Sequence, residues 1–136
     1  MSGPDPEALR AEALRWLSRV EDDLEMVAAG VERGRLRPAA FHVQQAAEKL
    51  LKALLVLAGA AVPKTHDLDR LIRLAGADRA LPASAADQLA ALTSWVTIGR
   101  YPEPEEDIAP TAEEIAEALG LLRRREDLVR ARLTGG

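Results

Sequence analysis

The sequence predicts an all-α protein: a five-helix, up-and-down antiparallel bundle that occupies residues 1–136 as one domain, with a core over about residues 8–133. Three observations lead there. Apolar residues recur at steps of three and four along most of the chain. Hydrophobic residues make up 48% of the sequence but aromatics only 3%, so the core must be built from Leu, Ala, Val and Ile, a mixture that favours helix over sheet. Proline, glycine and capping residues cut the periodic pattern into five segments. A chain of 136 residues is one domain in size, and dividing it would leave neither half an adequate core.

In the first segment Pro4 and Pro6 precede a stripe of Leu9, Ala13, Trp16, Val20, Leu24 and Val27. Gly30 and Gly34 mark its stop and the connection that follows. Pro38 is expected to open the second helix, which runs to about Ala58 and ends at Gly59. Phe41, Ala47, Leu50, Leu51, Leu54 and Leu57 give it an apolar face. Ala53, Leu55 and Val56 widen that face until the second half is apolar nearly all round, as suits a central helix or one buried in a partner. Thr65 is the expected cap of a short third helix carrying Leu68, Leu71, Ile72 and Leu74 and ending at Gly76. Ser84 and Asp87 resemble a capping box for a fourth helix with Leu89, Leu92, Trp95, Val96 and Ile98, stopped by Gly99. Three prolines and four acids make residues 99–110 a loop. Thr111 and Glu114 form a full capping-box pattern for the fifth helix, whose apolar positions are Ile115, Leu119, Leu122, Val129 and Leu133. Its early glutamates and late arginines suit the helix dipole.

Several function classes are excluded or weakened. Without cysteine there are no disulfides and no Cys-ligated zinc, and two histidines do not make a conventional zinc site, so no metal and no cofactor is expected. The lack of cysteine fits a reducing cytoplasm, and the N-terminus shows no signal-peptide pattern, so a cytoplasmic location is expected. The apolar run Leu50 to Val62 contains Lys52 and is too short to span a bilayer. A net charge of −4 gives no reason to expect strong nonspecific nucleic-acid binding. Neither phosphate-cradling glycine loop occurs, nor HExxH, nor a GxSxG elbow.

What stands out is a polar ladder on the second helix. Steps of three and four put His42, Gln45, Lys49 and Lys52 along one side, with Gln44 and Glu48 on the adjacent line. It reads either as a solvated face with a Glu48–Lys52 pair, or as a hydrogen-bonded seam against another helix or subunit, where paired amides can satisfy one another. His66 reads as part of a helix start. Arg100-Tyr101-Pro102 reads either as a loop anchor or as an anion or nucleotide contact, with Glu103, Glu105, Glu106 and Asp107 beside it opposing a bare phosphate.

The stretch Phe41-His42-Val43-Gln44-Gln45-Ala46-Ala47-Glu48-Lys49-Leu50-Leu51-Lys52-Ala53-Leu54-Leu55 is similar to the signature helix of HEPN domains, the higher eukaryotes and prokaryotes nucleotide-binding family. Pro63-Lys64-Thr65-His66-Asp67-Leu68 and Arg100-Tyr101-Pro102 resemble the family's next two landmarks, and Trp16 and Asp23-Leu24 its first helix. The resemblance implies a five-helix bundle that forms a homodimer. It also implies either partnership with a minimal nucleotidyltransferase, often as a toxin–antitoxin pair, or metal-independent ribonuclease activity through an Arg-x4-6-His motif.

Arg37 and His42 have the motif's spacing. In that chemistry His42 would handle the ribose 2′-hydroxyl proton and Arg37 the phosphate. Five helical steps turn the two about 140° apart, so they converge only with help from a partner subunit. The resemblance therefore points first to a subunit of a nucleotidyltransferase assembly, with ribonuclease and nucleotide-binding module as alternatives. Gln45, Lys49, Lys52, His66, Arg100 and Tyr101 are the candidate nucleotide- or partner-binding residues.

Overall fold

The computed structural model describes residues 5–77, 81–93, 95 and 110–134. Among them are five α-helices and no strand. Helix α1 spans Pro6–Glu32. Asp5 caps it through a side-chain bond from the Glu7 amide (3.1 Å), and Pro6 takes the first helical position, where no amide hydrogen is needed. The expected stripe is buried at Ala13, Val20, Leu24 and Val27, with Leu9 and Trp16 half-buried, and Leu17 and Asp23 join the buried face.

The helix does not stop at Gly30. It runs on to Glu32, and Gly34 (φ 70°) makes the turn. The Gly34 amide donates to the Val31 carbonyl (3.2 Å) and that of Arg35 to the Gly30 carbonyl (2.7 Å), a Schellman closure.

Helix α2 spans Leu36–Leu57 and begins two residues before Pro38, which sits in the first turn where it breaks no helical bond. Gly59 (φ 72°) ends it, with its own amide on the Val56 carbonyl and that of Ala60 on the Leu55 carbonyl, both at 3.0 Å. Every residue from Leu50 to Val56 is buried, as the all-round apolar pattern predicts for a central helix. Phe41 departs from its expected core position and is 36% exposed, because it lies at the border of the buried face, about 100° round the helix from the buried Ala40.

Helix α3 covers Leu68–Ala77. Its cap is Asp67, whose carboxylate accepts from the Arg70 amide (3.2 Å). Thr65, the expected cap, instead accepts from the Asp67 amide (3.1 Å) one step earlier. Gly76 falls inside its last turn. Helix α4, Ala83–Ala90, is preceded by Pro82 at the cap position, so Ser84 lies within the first turn and forms no capping box. Leu89, Leu92 and Trp95 are buried as expected, while Val96, Ile98 and Gly99 lie outside the described residues.

Helix α5, Ala112–Thr134, carries both bonds of the predicted capping box: Thr111 amide to Glu114 (3.0 Å) and Glu114 amide to Thr111 (3.1 Å). Helices α1 and α2 form a tight hairpin, α5 packs on both, and α3 packs on α2 and α4. Leu17, Leu50, Leu51, Leu55, Leu71, Leu89, Ile115 and Leu122 are fully enclosed at the centre. Among the described residues, the fold encloses α2 over Leu50–Val56 and leaves its first half open at Pro38 and Phe41, with His42, Gln45 and Lys49 half-buried.

Candidate functional site

Asp23 projects from the buried stripe of α1 toward α2 and is only 5% exposed. One carboxylate oxygen meets His42 Nδ1 at 2.8 Å and the other accepts from Lys49 Nζ at 2.6 Å. A carboxylate can only accept, so Nδ1 carries the proton and the ring's orientation and tautomer are set. His42 and Lys49 keep about a quarter of their side chains exposed (25% and 26%), so the pair reaches the surface while its counter-charge stays below it. The Phe41 ring meets His42 edge-on, with centroids 5.5 Å apart.

A second carboxylate repeats the arrangement one turn further along. Glu48, 2% exposed, receives Lys52 Nζ (3.4 Å) and His66 Nδ1 (2.7 Å) on the same oxygen. His66 is therefore a link from the α2–α3 connection to α2, not a capping residue, although its side chain is 79% exposed. Lys52 Nζ also lies 5.3 Å from the Trp16 ring centroid, which explains how a lysine is tolerated at 7% exposure. Gln45 donates to Gln44 (2.9 Å), as paired amides can. Gln44 Nε2 and Glu48 Oε2 are buried without a hydrogen-bond partner among the described residues.

Of the two readings of the ladder, the structure gives the seam: all six of its side chains are half-buried or buried, and its ionic partners lie on α1, α2 and the α2–α3 connection. Asp23 is the residue that sequence reasoning did not single out for this role.

Beside His42 an open groove of about 470 Å³ lies at the α1–α2 corner, lined by Met26, Ala29, Gly30, Arg33, Arg35, Pro38 and His42. Arg37 stands half-buried in the first turn of α2 and is not among those lining residues. Sequence reasoning also missed Arg33 and Arg35. Their signal was a pair of basic residues flanking a turn glycine immediately before the signature helix. Arg100 and Tyr101 lie outside the described residues.

The HEPN domain model matches residues 13–130. The chain belongs to the HEPN domain family. Two solved structures share the HEPN fold seen here. TT1696 from Thermus thermophilus has a TM-score of 0.72 and 28% identity, over 87% of this chain and 95% of that one. ST0689, an archaeal HEPN homologue, has a TM-score of 0.67 and 25% identity, over 90% of this chain and 98% of that one. No curated protein matches the chain. Among the described residues of this HEPN domain, no cluster of three metal-ligating side chains occurs, and no helix is long and apolar enough to cross a membrane.

Away from the seam, Glu126 on α5 is 3% exposed and faces Glu21 of α1. Burial, then the hydrogen bond that protonated Glu126 donates to Glu21, pushes its pKa from the ordinary 4.5 up to about 7, and Arg130 opposes the rise. Arg130 Nη2 sits 3.0 Å from Glu126 and 3.8 Å from Glu21. Because the folded pKa lies above the unfolded one, folding takes up a proton, and stability falls as pH rises from about 4.5 to 7. Glu126→Gln should remove that dependence. Chemical denaturation should find the variant about 1–2 kcal/mol more stable than the parent at pH 8 and nearly equal to it at pH 4.5.

Proposed function

We propose that this HEPN domain works as a homodimeric subunit of an assembly with a minimal nucleotidyltransferase, of the toxin–antitoxin kind. The carrying observation is the composition of the open edge around His42. There Met26 (52% exposed) and Phe41 (36% exposed) flank the half-buried His42 and Lys49, whose counter-charge is internal. Exposed aromatic and thioether side chains around pre-oriented polar groups are what a protein interface uses. Among the described residues, an exposed Phe at the rim of this edge makes no core contact within the domain that would require it there.

The test is co-expression with a minimal nucleotidyltransferase, taken from the chain's own gene neighbourhood, read by co-purification and by light scattering. The Met26→Ser/Phe41→Ser double variant should lose association by about tenfold or more while its melting stays within a few degrees. If the wild-type chain never associates with that protein and stays a monomer, the reading fails.

The Asp23–His42 bond favours a second reading, a metal-independent ribonuclease. With Nδ1 held by Asp23, Nε2 is the nitrogen left to take a proton from a ribose 2′-hydroxyl. The 2′-oxygen then attacks phosphorus, the 5′-oxygen leaves with a proton from solvent, and a 2′,3′-cyclic phosphate remains. Metal-free cleavage by the wild type and about 100-fold less by His42→Ala would support it. Equal cleavage by both would remove His42 from the chemistry.

A further inference from the structure

Two arginines on α5 have no counter-charge that their own helix could give them. The positions three and four steps from Arg125 are Leu121, Leu122, Leu128 and Val129, and those before Arg132 are again Leu128 and Val129. Arg130 shows the usual arrangement, with Glu126 four residues earlier and 3.0 Å from its guanidinium. Neither Arg125 nor Arg132 forms an ion pair with a described residue. The Nε of Arg125 is buried without an acceptor among the described residues, and a buried donor left unpaired is costly.

Both side chains line one pocket of about 210 Å³, where α5 faces the last turns of α2 and the residues entering α4. Leu54, Leu81 and Val129 are its buried apolar wall, and Pro82 and the 53% exposed Leu128 lie toward its mouth. No carboxylate among the described residues lines it. The pocket thus joins an unsatisfied cation to an apolar wall, and a ligand that answers both needs an anionic head and an aliphatic tail.

We propose that this pocket binds a short aliphatic monocarboxylate, with its carboxylate on the Arg125 guanidinium and its chain against Leu54, Leu128 and Val129. A carboxylate meets the guanidinium fork with two oxygens on two N–H groups, and Nε–H is one of the donors on the fork's side edge. Apart from the two arginines the lining side chains are apolar, so a sugar or a base there would leave its polar groups unpaired. The pocket is smaller than the usual site for a drug-sized molecule, which keeps the chain short. Exposed Arg132 adds a second positive charge that favours an anion. Leu54 lies twelve residues beyond His42, about 18 Å along α2, so failure of this site would leave the reading of the His42 edge untouched.

The experiment is isothermal titration of the full chain with butyrate, hexanoate, hexanol and inorganic phosphate. Hexanoate should bind with a Kd on the order of 1 mM. Butyrate should bind about tenfold more weakly, since each enclosed methylene is worth about fourfold. Hexanol has the chain without the charge and phosphate the charge without the chain, and each should also be at least about tenfold weaker. Leu128→Glu gives the helix the acid it lacks, three residues from Arg125 and four from Arg132, so an internal carboxylate takes the ligand's place. That position is already exposed, so the variant should fold as the parent does and bind hexanoate about tenfold more weakly or worse. Arg125→Gln should weaken hexanoate by a similar factor, and if that variant does not fold, Leu128→Glu decides alone. The proposal is overturned if hexanoate does not bind at tens of millimolar, if hexanol or phosphate binds as tightly, or if either folded variant binds hexanoate unchanged.

Discussion

Asp23→Ala should lower the unfolding free energy by about 3 kcal/mol in urea denaturation, the low end of the cost of breaking a buried ion pair from one side. The carboxylate is almost wholly enclosed and holds two cationic or titratable partners from the next helix, at 2.8 and 2.6 Å. Its removal strips Lys49 of its counter-charge and His42 of the acceptor that fixes its tautomer. Both keep about a quarter of their side chains in water, which is why the loss belongs at the low end. Asp23→Asn keeps the shape and one acceptor, so it should lose about half as much while still freeing Lys49. His66→Ala is the contrast: its contact with Glu48 is on a side chain 79% exposed, and about 0.5 kcal/mol is expected there. A loss from Asp23→Ala as small as that of His66→Ala would mean that the seam is screened like a surface pair.

The difference between these two contacts bears on what a sequence can disclose. The α2 ladder was legible because its period is local: His42, Gln45, Lys49 and Lys52 fall on one side by arithmetic alone. Its depth was not. Whether Gln44 and Glu48 are wet or enclosed depends on what lies across from them, and those groups are remote in sequence. Asp23 is 19 residues from His42 and 26 from Lys49.

A usable signal nevertheless existed. Asp23 sits inside an apolar stripe, three residues after Val20 and four before Val27, and Glu126 sits likewise between Leu122 and Val129. An acid on the core face of a helix must find a donor or hold its proton. Asp23 does the first with Lys49 and His42, and Glu126 does the second beside Glu21.

The fold itself was legible almost throughout, since five segments, the capping box at Thr111 and the terminator Gly59 all follow from local rules. At α3 the carboxylate of Asp67 caps two residues after Thr65, and at α4 the helix starts after Pro82 with no side-chain cap, leaving Ser84 inside its first turn. Phe41 departs as well. Helical phase alone predicts burial for any apolar residue near the stripe, and Phe41 lies at its border, where exposure is decided by whether a neighbour exists.

Gly30 joins fold and site most directly, and Gly30→Val should cost about 3 kcal/mol or more. A glycine inside a helix ordinarily invites substitution, because alanine there gains up to about 1 kcal/mol of helix propensity. Here the gain is opposed by contacts that cannot yield cheaply. The nearest atoms to a new Cβ are Ala39 Cβ at 2.9 Å and the Arg35 backbone oxygen at 3.1 Å, neither of them the end of a flexible side chain. Ala39 is itself fully buried, so relief requires α1 and α2 to separate. That separation would open the turn at Gly34 and stretch the Arg35 amide from the Gly30 carbonyl, now 2.7 Å away. Arg33 and Arg35, on either side of Gly34, would then part. Gly34→Ala offers the control: nothing lies within 4 Å of its Cβ, so its cost of about 1 kcal/mol arises from φ 70° alone. Measured side by side, a larger loss at Gly34 than at Gly30 would show that the corner is held by its turn and not by the helix contact.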